Sequence, residues 1–132
     1  MPITYEWRGA FDNSEVNGLH AEAFGHPAAG DDWLALTARH SVGWVTARRS
    51  GDLVGFVNVV WDGGCHAWLQ DLMAAEGSRR TGVGTALVSA ARDGARAAGC
   101  EWLHVDFDEK HWGFYIDTCG FTPTGAGLMA LG

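Results

Sequence analysis

The chain has 132 residues, of which 47% are hydrophobic, and its 16 acidic against 9 basic residues give a formal net charge of −7. This length suits one domain, residues 1–132, with a sizeable core, and the apolar content argues against disorder. The negative charge argues against nucleic acid as a general partner, because a phosphate backbone would be repelled.

The N-terminal part of the sequence predicts one strand followed by two short helices. Ile3–Trp7 is interpreted as the first strand, and Asp12–Glu15 is a cluster of the polar residues that begin helices. Pro27–Gly30 breaks the chain, and Asp31 or Asp32 then caps the second helix. The first helix carries a short apolar stripe of Val16, Leu19, Ala23 and Phe24.

Three strands follow in the middle of the chain. Val42–Arg49 and Leu53–Trp61 flank Ser50–Asp52, a turn sequence that predicts a hairpin. The second of these strands is nearly all apolar, which indicates a position inside the sheet. Asp62–Gly64 then turns the chain into a further strand, His66–Ala74.

The next segment, Arg79–Leu87, predicts a phosphate-binding turn at the start of a helix. The first N–H groups of a helix have no helical partner and lie at the positive end of its dipole, so they attract anions. Gly82 and Gly84 lack a Cβ and let the backbone approach a ligand, while Arg79 and Arg80 add positive charge. A dinucleotide fingerprint would need a third glycine and a P-loop would need a lysine, and the segment has neither. The pattern favours a pyrophosphate cradle, with a tight turn and solvated charges as the alternative.

One crossover dominates the second half of the chain. The helix after the glycine turn ends at Gly99 and leads to the strand Glu101–Phe107. Such a crossover makes this strand parallel to His66–Ala74. His111–Thr118 predicts a short helix, and Phe121–Leu131 predicts one or two short edge strands broken by proline and glycine.

Two blocks of the sequence resemble a known superfamily. Arg79, Gly82 and Gly84 fit the R/Q-x-x-G-x-G/A signature of the GNAT superfamily of N-acetyltransferases. Phe114–Phe121 is similar to the superfamily's F-Y-x-x-x-G-F segment, and the order and spacing of the two blocks also fit. The sequence departs from the pattern before the arginine, where the usual valine and proline are absent, and at Asp108, where an asparagine is common.

The resemblance implies an α/β fold with a single GNAT domain, in which a mixed, mostly antiparallel sheet has two splayed parallel central strands and flanking helices. It implies acetyl-CoA as the co-substrate, with the pantetheine arm in the gap between the splayed strands. No metal ion is needed for such a reaction. The implied cofactor-binding residues are Leu72, Met73 and Ala74 for pantetheine, Arg79, Arg80, Thr81, Gly82, Val83, Gly84 and Thr85 for the pyrophosphate, and Asp108.

Acyl transfer to an amine needs a base that deprotonates the ammonium and an acid that protonates the departing thiolate. Tyr115 stands at the position of the superfamily's tyrosine and is the implied acid, with a packing role for its ring as the alternative. Strand alternation places Asp106 and His104 on one face, beside His66 of the neighbouring strand. Asp106 and His104 are the preferred candidates for the base, ahead of His66 and Glu22.

These residues favour an N-acetyltransferase that acts on the primary amine of a small molecule, such as a cationic metabolite or an amine-bearing antibiotic. Two alternatives stay open. One is acetylation of a peptide or protein amine, and the other is an acyl-CoA-binding module without catalytic activity. An ionisable group beside Tyr115 would favour an enzyme over the module.

Location and assembly are predicted from weaker signals. No apolar run reaches the roughly 18 residues of a membrane span, and the charged N-terminal residues predict no signal peptide. The three cysteines are odd in number and lack metal-site spacing, which favours free thiols in a reduced cytoplasm. The short tail after Gly120 predicts a final hairpin that is either reduced or completed by a second copy in a homodimer.

Overall fold

The computed structural model describes residues 2–79 and 81–132, which form a mixed α/β domain. The strands are β1 (Ile3–Trp7), β2 (Ser41–Arg49), β3 (Asp52–Trp61), β4 (His66–Ala74) and β5 (Trp102–Val105). The α-helices are α1 (Asn13–Phe24), α2 (Trp33–His40) and α3 (Val83–Ala97). Two 3₁₀ turns cover Glu76–Ser78 and Glu109–His111, and a π-helix covers Gly113–Thr118. None of the helices in the described ranges has the length and hydropathy that crossing a membrane requires.

The five strands form one sheet in the order β1-β2-β3-β4-β5. Neighbouring strands are antiparallel except for β4 and β5, which are parallel. The parallel pair is joined through α3, which is the crossover that the sequence predicts, so the predicted fold class is confirmed. β5 is the last strand of the order, and the parallel pair therefore lies at one end of the sheet and not at its centre.

The tail after Gly120 forms no strand, so the prediction of edge strands over Phe121–Leu131 is wrong; the structure describes every residue of this segment. Pro123 has no N–H to give to a ladder, and the nearby glycines weaken any strand. β5 also offers a short template of only 4 residues. As a result, the outer edge of β5 has no strand beside it.

α1 and α2 begin at the caps that the sequence predicts. Asp12 is the N-cap of α1 and forms a capping box with Glu15, whose carboxylate accepts the Asp12 N–H at 3.0 Å. Asp32 caps α2 by accepting the Ala35 N–H at 3.0 Å. Both helices cover one face of the sheet, over a buried cluster of Phe11, Val16, Leu19, Trp33, Phe56 and Met73.

α3 covers the opposite face of the sheet. Val57 of β3 belongs to the cluster under α3, whereas its neighbour Phe56 belongs to the cluster under α1, as strand alternation requires. Gly94 lets α3 approach β1, because a Cβ there would lie 2.3 Å from the indole ring of Trp7. The buried face of α3 consists of Val83, Leu87, Val88, Ala91 and Ala95.

The short helix predicted before Gly120 is a π-helix, Gly113–Thr118. Four residues separate Tyr115 from Gly120, whereas the F-Y-x-x-x-G-F segment has three at this place. The Cys119 N–H donates to the Phe114 carbonyl at 2.9 Å, which is the i to i+5 spacing of a π-helix. The wider turn accommodates the additional residue, so the sequence agrees with the superfamily segment at both ends and differs in the middle.

Candidate active site

β4 and β5 diverge at the point where β5 ends. The ladder between them runs from His66 opposite Trp102 to Leu69 opposite Val105. β4 continues for 5 more residues, Gln70–Ala74, while the chain after β5 leaves the sheet. In the residues that the structure describes, the backbone of Gln70–Ala74 has no strand partner on that side, so a ligand can pair with it there.

The gap between the diverging strands is a cleft with a volume of about 1160 Å³, which we call the splay cleft. Its walls come from the end of β4, the chain after β5, the π-helix, the end of α1 and residues 126–128 of the tail. The structure brings together in this cleft many of the residues predicted from the sequence, namely Leu72, Met73, Ala74, Arg79, Asp106, Asp108 and Tyr115.

The two glycines of the turn before α3 have different roles. Gly82 is the N-cap of α3 and has a φ of 85°, in the left-handed region that favours glycine. Apart from its two chain neighbours, no atom of the described residues lies within 4 Å of the place where its Cβ would be. At Gly84, by contrast, an added Cβ would lie 3.2 Å from the Phe114 ring. Glycine at position 84 therefore allows α3 to pack against the π-helix, and its predicted role in binding a ligand stays a prediction.

The remaining residues of the turn surround the N-terminus of α3. Thr81–Thr85 includes the first turn of this helix, whose N–H groups lack helical partners. Arg79 is exposed, and its guanidinium donates to the carbonyls of Ala74 and Glu22 at 3.4 Å each. These are long contacts, so Arg79 is available to an anion. Arg80 lies outside the described residues.

Tyr115 is half-buried in the wall of the splay cleft. Its ring stacks on Phe107 with centroids 5.0 Å apart and meets Phe114 edge-on at 4.9 Å. Burial raises the pKa of Tyr115, and Cys119 adds a smaller effect in the same direction. The phenol therefore keeps its proton at neutral pH, as a proton donor must.

The two preferred candidates for the base lie in different places. Asp106 is exposed and lines the splay cleft. His104 belongs to the paired part of β5 and lines a neighbouring cavity of about 870 Å³ around the outer edge of that strand, which Asp106 also lines. Its Nε2 lies 2.8 Å from Nδ1 of His66, and its ring stacks on Trp68 at 4.8 Å. The structure brings Asp106, but not His104, into the cleft with Tyr115.

Comparison with known families agrees with this geometry. A family model described as the acetyltransferase (GNAT) family matches residues 5–121. The chain belongs to the GNAT acetyltransferase family. It is therefore an acyltransferase, and the family uses acetyl-CoA. No curated protein matches the sequence at a significant level.

Several solved structures share the GNAT fold of this chain. An acetyltransferase from Trypanosoma brucei has a TM-score of 0.80 and 18% identity, with 98% of this chain and 99% of that chain covered. The aminoglycoside N-acetyltransferase AAC(6')-Iy, solved with the bisubstrate analogue CoA-S-monomethyl-acetylneamine, has a TM-score of 0.75 and 20% identity, covering 98% and 97%. A ribosomal-protein-alanine N-acetyltransferase from Brucella melitensis has a TM-score of 0.74 and 19% identity, covering 99% and 100%.

Two basic residues of the splay cleft were not predicted from the sequence. Lys110 and His111 line it just after Asp108. Two adjacent basic residues in a chain of net charge −7 were a visible signal, since few other places in the sequence concentrate positive charge.

A bulge in β4 changes the face on which Asp71 lies. The register of β3 against β4 shifts between Phe56 and Asn58. The single β3 residue between them faces two residues of β4, Asp71 and Leu72. Asp71 has a φ of 57°, which is uncommon for a residue other than glycine. Simple alternation along β4 cannot show such a bulge.

Proposed function

We propose that this GNAT enzyme transfers the acetyl group of acetyl-CoA to the primary amine of a small molecule. The observation that supports this most directly is the splay cleft, open along the free backbone of β4 and walled by Tyr115. Its volume of about 1160 Å³ is at the upper end for ligand pockets, which reach roughly 1000 Å³. It therefore has room for the pantetheine arm of acetyl-CoA and for an acceptor molecule.

Three features of the cleft and of the helix start that packs beside it fit acetyl-CoA. Leu72–Ala74 offers unpaired backbone groups that pair with the pantetheine amides in the manner of an added strand. The N–H groups of Thr81–Thr85 at the start of α3 hold the pyrophosphate. Arg79 and Lys110 supply positive charge beside it, and Arg80 adds to this charge on the argument from sequence alone.

The reaction moves two protons from the acceptor nitrogen. The ammonium loses the first proton, and the free amine attacks the thioester carbonyl carbon. The C–S bond breaks when the tetrahedral intermediate collapses, and Tyr115 donates its hydroxyl proton to the CoA sulfur. The second nitrogen proton replaces the one that Tyr115 gave, so one proton in total is released to solvent for each amide formed.

The first deprotonation is assigned, on the argument from sequence, to Asp106 or His104. Asp106 is the one whose carboxylate shares the splay cleft with Tyr115. His104 would act from the neighbouring cavity, where it pairs with His66.

The acceptor reaches the enzyme as a cation. Glu22 and Asp106 bring carboxylates to the cleft, and Phe24 adds an aromatic surface that attracts cations. These groups support a cationic amine as substrate.

The free thiols of Cys65, Cys100 and Cys119 support a reducing compartment such as the cytoplasm.

A screen of amines with acetyl-CoA, read by released thiol, tests this function. We expect turnover with small primary amines and little with peptides. Turnover with peptides alone would support the peptide alternative. Acetyl-CoA binding by calorimetry without turnover on either class would support the non-catalytic module.

A further inference from the structure

The cavity around the outer edge of β5, which we call the edge cavity, adjoins the splay cleft. Its volume is about 870 Å³. Asp106, Phe107, Ala126 and Gly127 line both cavities, so the two meet at the point where β5 ends. A single small molecule can therefore lie in the edge cavity and reach into the splay cleft.

Aromatic rings form the wall of the edge cavity along one face of β4 and β5. The His104 ring stacks on the Trp68 ring, with centroids 4.8 Å apart and planes within 17° of parallel. Trp102 also lines the cavity, lies on the same face of β5 as His104, and is 64% exposed. Leu103 and Val105 alternate with these residues and pack instead against the core under α3. The rings thus form a surface on which a flat molecule can lie.

The His104 ring is held in place but has one open face. Its Nε2 lies 2.8 Å from Nδ1 of His66, and one of these two nitrogens donates a hydrogen to the other. This bond and the stack on Trp68 together fix the plane of the ring. Trp68 covers the face that looks toward β4, whereas the outer side of β5 has no strand in the described ranges and is occupied by the edge cavity. A ligand ring can extend the stack on this open face.

The charges around the edge cavity favour a cation. Asp106 and Glu109 bring two exposed carboxylates to its wall, and neither belongs to an ion pair in the part of the chain that the structure describes. Arg92 of α3 also lines the cavity, but its guanidinium donates to the Asp93 carboxylate at 3.1 Å and to the Ser89 hydroxyl at 3.2 Å. The charge of Arg92 is therefore balanced by Asp93, and the two carboxylates of the wall attract an ammonium group.

The spacing between the aromatic surface and the shared carboxylate limits the length of the ligand. His104 and Asp106 are two positions apart, which is roughly 6.6 Å in an extended chain. Because C–C bonds are about 1.5 Å long, an amine on a chain of about two or three carbons spans this distance from the centre of an aromatic ring. Its nitrogen then lies at Asp106, in the wall shared with the splay cleft, which Tyr115 also lines.

We propose that the acceptor is an arylalkylamine whose ring stacks on His104 in the edge cavity and whose ammonium group lies at Asp106. Trp102 borders the ring, and Trp68 and His66 are positioning residues that hold His104. The inference rests on the proposed amine acetylation and names its substrate class. It uses the side-chain face of β5 and leaves the outer backbone edge of that strand open.

The test compares phenethylamine with cyclohexylethylamine, which has the same chain and a ring of similar size without an aromatic face. We expect kcat/KM of the wild-type enzyme to be about three- to tenfold higher for phenethylamine, as for one aromatic stack. His104→Leu should bring this ratio close to one, and Trp102→Leu should lower it. If His104 instead acts as a base, its loss slows both amines alike, so the ratio reports the stack and not the proton transfer.

The matched control is Trp61→Leu, because Trp61 is exposed, lies on β3 and lines neither cavity. It should keep the wild-type ratio, and circular dichroism should show that all three variants are folded. A wild-type ratio near one overturns the inference. So does an unchanged ratio in both His104→Leu and Trp102→Leu.

A second measurement needs no turnover and so separates this inference from the proposed function. Calorimetry with CoA present should show phenethylamine binding at least about tenfold more tightly than phenethyl alcohol, which lacks the ammonium group. Asp106→Asn should remove most of this difference, and an unchanged difference would overturn the placement of the nitrogen.

The two proposals can fail independently. An enzyme that acetylates alkylamines without a preference for the aromatic ring overturns the inference and leaves the proposed function standing. A chain that binds phenethylamine with the expected dependence on His104 and Asp106, but does not acetylate it, supports the aromatic subsite and contradicts the proposed function.

Discussion

The hydroxyl of Tyr115 is the single group that the proposed chemistry uses most directly, and Tyr115→Phe removes it while keeping the ring. The contacts with Phe107 and Phe114 are made by the ring, so folding and acetyl-CoA affinity should hardly change. The turnover number should fall by about 10²-fold if the hydroxyl protonates the thiolate. Steady-state kinetics with saturating acetyl-CoA measures this.

The same variant has a matched control and a pH signature. Tyr5→Phe changes the only other tyrosine, on β1, and should leave turnover unchanged. Because burial raises the pKa of Tyr115 above its ordinary value near 10, its protonated form persists into alkaline solution. Turnover of the wild-type enzyme should therefore fall only above about pH 10, and this fall should be absent in Tyr115→Phe. Wild-type turnover in the phenylalanine variant would mean that Tyr115 is a packing residue.

Gly82 tests whether the turn before α3 binds the pyrophosphate. Its φ of 85° strains any other residue, so Gly82→Val should move the N–H groups that follow. We expect the Kd for acetyl-CoA to rise about tenfold or more, measured by calorimetry. Gly63→Val is the matched control, because Gly63 has a similar φ of 80° with nothing within 4 Å and lies in the distant β3–β4 turn. Equal affinities of the two variants for acetyl-CoA would show that this turn does not bind the pyrophosphate.

Among the secondary-structure elements, α1 is joined to the sheet by an ion pair that can be tested by pH. Arg48 of β2 donates to both carboxylate oxygens of Glu15, at 2.7 and 2.9 Å. These bonds lower the pKa of Glu15, so the pair stabilises the fold above the pKa of about 4.3 in the unfolded chain and loses this effect as the pH falls through the lower folded value.

Glu15→Gln removes the ion pair but keeps the helix cap, because glutamine also completes a capping box. We expect the free energy of unfolding to fall by about 1 kcal/mol at pH 7, as for a partly buried bidentate pair. The difference from wild type should shrink steadily below about pH 4. Urea unfolding measures both effects, with the exposed Glu6→Gln of β1 as control. A pH-independent difference would attribute the loss to packing or capping.

Most elements could be predicted from the sequence because local signals determine them. The polar caps Asp12 and Asp32, the glycine turn at residues 82–84 and the apolar face of α3 each act within a few residues. The tail could not be predicted in this way, because apolar content alone suggested strands. A strand also needs a partner, and β5 ends at Val105 after 4 residues.

Site residues that belong to sequence motifs could be predicted. Residues whose position depends on how the strands pair could not. Tyr115 follows from the block Phe114–Phe121 and Leu72–Ala74 from the fold that the resemblance implies, and the structure places them in one cleft. His104 was predicted from the alternation of side chains along the strand. Alternation gives the face of the sheet on which a residue lies, but it does not show where β4 and β5 separate. The position of Asp71 depends on a bulge in β4, so it could not be found from local patterns.

For the molecule as a whole, the sheet ends in an open edge next to apolar surface. β5 has β4 on one side and no strand on the other, and its Trp102 is 64% exposed. Residues 121–124 of the tail line the cavity around this edge, and further along the tail Met129 is 80% and Leu131 94% exposed. Open sheet edges and exposed apolar side chains can be buried against a partner.

We therefore expect a homodimer in which the tail of each copy covers the β5 edge of the other. Replacing Met129 and Leu131 by serine removes the apolar contacts without touching the sheet, so it should raise the dimer dissociation constant by at least about 10²-fold, since two buried side chains contribute roughly 1.5–3 kcal/mol each. Sedimentation velocity over a concentration series measures this. The control replaces Leu34 and Leu36, which are also exposed but lie on α2, and should leave association unchanged. A wild-type chain that sediments as a monomer at high micromolar concentration, or a tail variant that still dimerises, would contradict the proposed exchange.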